Sequence, residues 1–266
     1  MMQLQRRDVW RSPEATARLT YYPPGAEMHA HIHENDQYSV LVLGGFREVT
    51  TSGEADLHGF SAGFKAAGQR HENLYGRDGA IILAIDAPPR ETDRGWHWRQ
   101  PTAGENILPL VKMLLERRKP ANDSGDVVHE LISVIEVSPD DSGGHLRNGR
   151  TPPNWLRRVR EEIDDAPMAA DLTSLAGRAS VHVTHLSRSF AQSFGVPLSV
   201  YRRRVMAMRA AQAMMHEVQT PAAAANTAGF ADQSHLTRVL RRETGLTPRR
   251  FQALFDAPEP RAASAC

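Results

Sequence analysis

The stretch Gly25-Ala-Glu-Met-His-Ala-His-Ile-His-Glu-Asn-Asp-Gln37 puts an imidazole at every second residue. Alternate side chains of a β-strand share a face, so His29, His31 and His33 are expected to point the same way. Grouped imidazoles can ligate Zn²⁺, Fe²⁺, Ni²⁺ or Mn²⁺. They can equally line a polar pocket for an organic ligand. By the same parity Glu34 and Asp36 are expected to face solvent. A second chemistry lies far along the chain. His185-Leu-Ser-Arg188 recurs, 50 residues on, as His235-Leu-Thr-Arg238. Leu186 with Phe190, and Leu236 with Leu240, stand at i, i+4 and give each segment an apolar back. The opposite front carries Arg, which matches the two acceptors of guanine, and the second front adds Gln233, which can pair with adenine.

Something must hold those fronts out. Residues 171–190 and 221–240 each read as a short small-residue helix, a tight turn and a second helix, the helix-turn-helix plan. Between them Leu198 to His216 reads as one basic helix. Tyr201, Val205, Met208 and Ala211 are expected inward, and Arg202, Arg203, Arg204 and Arg209 mostly outward. At ~1.5 Å per residue an 18-residue helix spans about 27 Å. With the size of each unit added, that suits successive major-groove turns roughly 34 Å apart. Trp155, Leu156, Val159 and Ile163 form the inner face of a preceding helix that Asn154 can cap.

The C-terminal segment resembles the AraC family of bacterial transcription regulators. The match covers about 100 residues, Asn154 to Gln252, and is strongest in Gly229-Phe-Ala-Asp-Gln-Ser-His-Leu-Thr-Arg238 followed by Gly245-Leu-Thr-Pro248. Ala224 and Ala225 stand where the family usually has Ile-Ala, and Val196-Pro197 where it often has Ser-Pro. The resemblance implies Thr184, Ser187 and Arg188 as base-facing residues of the first unit, and Gln233, Ser234, Thr237 and Arg238 of the second. Arg202, Arg203 and Arg241 suit phosphates, which give affinity without sequence information. The histidine stretch resembles the first cupin motif, with Gly25, His31, His33, Gln37 and Gly44 in its places. Ala66-Ala-Gly-Gln-Arg-His71 resembles the second. The resemblance thus groups His31, His33, Gln37 and His71 as a metal or effector site, with Gln37 where cupins carry Glu and Ala66 where they carry Pro. His29, one step before the motif, falls outside that set.

Short strands punctuated by Gly, Tyr38–Leu43, Phe46–Thr51 and Ala80–Ile85, suggest a β-barrel or jelly roll over residues 1–100. Gly95-Trp-His-Trp98 closes it, one Trp expected on each side. Ile107, Leu110, Val111, Leu114 and Leu115, then Val128, Leu131, Ile132 and Ile135, form two amphipathic helices within 101–137. Their apolar stripes can pack on the barrel, on each other or on a second subunit; the resemblance favours the last and implies a homodimer. Residues 138–153, rich in Pro, Gly, Ser and Asp, read as a linker. Residues 154–255 then form the DNA-binding domain, its units at about 171–193 and 221–243. The expected class is α+β: a cupin-like β domain followed by an all-α domain.

Charge divides the same way. From Arg150 onward there are 16 Arg, no Lys and 10 acids; the preceding part has 16 basic and 21 acidic residues. A basic excess on one domain is the footprint of phosphate binding. The one cysteine, Cys266, excludes an intrachain disulfide. The first ten residues contain no signal-peptide core, and the longest apolar run, Ala80–Ile85, is too short to cross a bilayer. A cytoplasmic transcription regulator is expected, with promoter DNA, RNA polymerase and a small-molecule or metal effector as partners and no enzymatic activity. The competing expectation is a metal-dependent cupin enzyme joined to a DNA-binding domain.

Overall fold

The computed structural model describes residues 4–90, 95–101, 105–116, 124–136, 152–168, 171–217 and 219–255. Two strands longer than the usual five or six residues organise the N-terminal part: β4 (Asp36–Thr50) and β7 (His71–Ala87). They pair antiparallel along nearly their whole length, and each serves two layers. The first layer runs β1 (Gln5–Arg11), β2 (Thr16–Tyr22), the end of β7, the start of β4, β6 (Ser61–Lys65) and β8 (Trp96–Arg99). The second joins β3 (Glu27–His31) to the start of β7, and β5 (Gly53–Leu57) to the end of β4. The crossing needs bends. β4 slips against β7 between Leu41 and Leu43 and again between Gly44 and Phe46. Such bulges kink a strand and leave a residue outside the ladder. At Gly44 (φ 84°) a Cβ would lie 2.2 Å from the Gly79 carbonyl oxygen, so the crossing admits only glycine. This is the expected double-layered antiparallel β domain.

Helices α1 (Ile107–Glu116) and α2 (Ser124–Glu136) follow. Their apolar residues are not a free face. Ile107, Leu114, Val128 and Leu131 are each at most 2% exposed within the single chain. The two helices pack on each other, α2 packs on β6, and α1 on β1 and on the helix α8 (Gln233–Thr244). The residues from which a dimer contact was expected therefore belong to the intrachain core. The linker expectation lies almost wholly outside the described residues.

The C-terminal helices are α3 (Asn154–Asp165), α4 (Leu172–Arg178), α5 (Val183–Phe194), α6 (Leu198–His216), α7 (Pro221–Thr227), α8 and α9 (Pro248–Phe255). Both expected helix-turn-helix pairs form. Asp171 caps α4 by accepting from the Ser174 amide, and Asp232 caps α8 by accepting from His235. Both turns close alike: the amides of Val181 and Phe230 reach back to the carbonyls of Ala176 and Ala225, through left-handed Ser180 and Gly229.

The cores are divided unequally. Helices α3, α4, α5 and the start of α6 share a core of their own, centred on Leu156, Leu186, Phe190 and Tyr201. The rest of α6 with α7, α8 and α9 joins the core of the β domain and of α1 and α2. Helix α6 is consequently buried on nearly every side, and Arg204, expected outside, is 4% exposed.

Candidate functional site

A cavity of about 210 Å³ lies between the two sheet layers. The β3–β7 register slips between Met28 and His31. That slip changes the expected parity: Met28 and His31 line the cavity while His29 is exposed. His31 stands opposite His71 on β7, and His33 follows just past the strand end. Ring centroids are 4.3 Å apart for His31–His71 and 5.0 Å for the two pairs with His33. One ring nitrogen from each lies within 4.8 Å of the others. Nδ1 of His31 is 2.8 Å from the His29 carbonyl oxygen, and Nδ1 of His71 is 3.1 Å from that of Gln69. A carbonyl only accepts, so Nδ1 carries the hydrogen in both rings. In the neutral ring that leaves Nε2 as a bare lone pair, and both Nε2 atoms are buried without a partner. Burial, and next the Lys65 charge, push His33 and His71 down to about 4, so these rings are neutral at pH 7. Neutral imidazoles oriented by backbone carbonyls have the arrangement of metal-ligating histidine.

Gln37 also lines the cavity, but its Nε2 donates to Asp86 Oδ1 at 3.0 Å. The carboxylate that reaches the histidines is one not singled out in the sequence. Glu48 lies on β4, fully buried, with Oε1 4.0 Å from His71 Nε2. Oε1 accepts from Lys65 Nζ at 2.5 Å, and Oε2 accepts from the indoles of Trp96 (2.5 Å) and Trp98. Both Trp residues therefore point to one side, contrary to expectation. Burial alone would raise the Glu48 carboxyl, but the Lys65 ammonium and the indole donors hold it below the usual range. The signal was present: Glu48 alternates with Phe46 and so shares its inward face. Asp36, expected in solvent, is 1% exposed and accepts from the amides of Ala67 and Arg90.

The other candidate surface is the front of α5 and α8. Leu186, Phe190 and Phe194 bury one side of α5, and Leu236, Val239 and Leu240 one side of α8. Thr184, Arg188, Gln233, Ser234, Arg238 and Arg241 are exposed, while Ser187, Thr237, Arg202 and Arg203 are half-buried. Among the described residues no hydrogen bond or ion pair engages the guanidinium of Arg188, Arg238 or Arg241. The histidines of the repeated tetrapeptide do not share this front. His185 stacks on Trp155, and His235 meets Phe230 edge-on.

Residues 175–253 match the family model described as a helix-turn-helix domain. The C-terminal region is an AraC-type helix-turn-helix domain. A search of curated proteins gives no match. Among solved structures, the chain is similar to ToxT from Vibrio cholerae O395, at 9% identity and TM-score 0.40 over 96% of this chain and 97% of that one. The C-terminal domain of AraT from Geobacillus stearothermophilus gives 18% identity and TM-score 0.39, over 43% of this chain and 96% of that one. KdgF from a Halomonas species gives 22% and 0.31, over 33% of this chain and 81% of that one. No function passes to this chain from likenesses of this size.

The AraC-type domain is joined to the β domain through charged residues. Val42 is the residue left over at the first β4 bulge, and its carbonyl accepts from Arg204 Nη2 at 3.0 Å. Arg204 Nη1 donates to Glu243 Oε2 of α8 at 2.8 Å. One buried guanidinium thus touches strand β4 and helix α8 together. Arg209 pairs with Asp78 at 3.1 Å, and Gln212 donates to the Asp78 carbonyl at 2.6 Å. From α3, Arg160 reaches Asp56 at 3.0 Å and His58 at 2.8 Å.

Proposed function

We propose that this chain is a transcription regulator that reads promoter DNA through α5 and α8, under the control of a ligand in the histidine cavity. The supporting observation is the pair of matched, exposed Arg-bearing fronts within the AraC-type domain. Arg188 and Arg238 would contact guanine edges, with Gln233 beside them for adenine. Thr184, Ser187, Ser234 and Thr237 complete the base-facing set, and Arg202, Arg203 and Arg241 hold phosphates. RNA polymerase is the partner that such a promoter-bound protein acts on. Each of Arg188→Ala and Arg238→Ala is expected to weaken binding to the selected site by about 1–3 kcal/mol. Fluorescence anisotropy at fixed salt, on a site chosen from random duplexes, measures this. Undiminished affinity in the double variant would reject the reading.

A divalent metal fits the cavity, because two oriented imidazoles present bare, unpartnered Nε2 atoms beside a third ring. His31, His33 and His71 would hold it. The metal would supply a Lewis-acidic centre to which a ligand binds. Strand β4 carries Gln37 and Glu48 into the cavity and Val42 to Arg204, which gives occupancy a physical route to α8. The alternative, a cupin enzyme, is less well supported. The cavity's two lining carboxylates, Glu48 and Asp86, are both bonded to neighbouring side chains rather than placed as an acid–base pair.

A further inference from the structure

Three imidazoles bring no charge to a divalent cation, so the counter-charge must come from elsewhere. Two carboxylates line the cavity. Glu48 is bonded to the Lys65 ammonium, both indoles and, with its amide turned, Asn73 at 3.2 Å. Asp86 accepts from Gln37 at 3.0 Å and lies 3.6 Å from Arg18 Nη1. The resident cations are Lys65 and Arg18, with Arg6 at the edge. Arg18 is also held by Asp8 at 3.0 Å, so both lining carboxylates, Lys65 and Arg18 are already partnered. A divalent cation bound there would find no free carboxylate among the lining residues to offset its charge.

We infer that the effector is itself a small anion, of the hydroxy- or keto-carboxylate class, that binds the metal and supplies the charge absent at Gln37. This rests on the metal reading given above. The donor geometry favours joint binding over an anion alone. The bare Nε2 atoms of His31 and His71 are acceptors and would repel a carboxylate unless a cation stood between them. The size agrees, since about 210 Å³ is below the ~300–1,000 Å³ of sites for drug-sized ligands. Lys65, buried opposite Gln37 in the β4–β6 register, adds attraction for the anion.

The test is a Co²⁺ titration of the full untagged chain followed by visible absorption, alone, with glycolate, and with ethylene glycol as its uncharged counterpart. Glycolate is expected to strengthen Co²⁺ binding about tenfold or more and to shift the absorption band, whereas ethylene glycol does neither. Gln37→Glu should bind Co²⁺ without glycolate and lose most of the glycolate effect. Co²⁺ binding that glycolate leaves unchanged, or that ethylene glycol strengthens equally, overturns this inference and leaves the metal reading standing. Absence of a Co²⁺ band under every condition overturns both.

Discussion

Arg204 shows how much one side chain can decide. It is 4% exposed, lies on the helix between the two helix-turn-helix units, and bonds to the carbonyl of Val42, which the β4 bulge leaves outside the β4–β7 register. A buried charge stripped of its partner costs far more than a surface pair. Arg204→Ala removes the buried partner of Glu243 Oε2 and the donor to the Val42 carbonyl, while Arg242 keeps Oε1. Urea denaturation is expected to show a loss of about 1.5–3 kcal/mol. Arg204→Ala with Glu243→Ala should cost clearly less than the two single losses combined. Additive losses would mean that the pair is not coupled. Neither residue was legible as a pair, because 39 positions separate them and Arg204 sits in a run of three arginines that reads as a solvated face.

At the scale of elements, periodicity located both amphipathic helices of the 101–137 segment but not their partner. An apolar stripe states that a face will be buried; it does not state against what. Leu114, 2% exposed, packs inside the chain. Leu114→Glu is therefore expected to unfold the protein rather than to release a monomer. Circular dichroism melting separates the outcomes: a folded variant with unchanged melting temperature would contradict the intrachain placement. The matched turns illustrate the opposite case. Local rules fixed them, since a cap, a left-handed residue and a backward hydrogen bond are all written within a few positions.

Taken as a whole, the molecule treats its two helix-turn-helix units differently. The first has a separate core, whereas the second shares one with the β domain. Cooperative unfolding follows shared burial. Native-state hydrogen exchange should show the amides of α7 and α8 opening together with β4 and β7, and those of α4 and α5 opening at lower free energy. Equal protection across both units would reject the division. Control from the cavity would accordingly fall first on the second unit, through β4 and α6.

The chain's chemistry was legible before its geometry. The repeated His-Leu-Ser/Thr-Arg segments and their apolar backs are set by neighbours within a helical turn or two, so sequence alone determined both helix-turn-helix pairs, whereas the cap expected at Asn154 falls to Pro153, which makes no side-chain bond. Strand spacing grouped His29, His31 and His33, and it was the resemblance to the cupin motifs that joined His71 to His31 and His33. What sequence could not decide was everything that depends on register or on distant partners. A single bulge turned His29 out and placed Met28 inside. Glu48 reached the histidines from another strand, with Lys65 and both indoles already bonded to it. Arg204 was buried by a bulge 162 residues away. Alternation is lost at every register slip, and burial of a charge depends on a partner that only the assembled fold supplies.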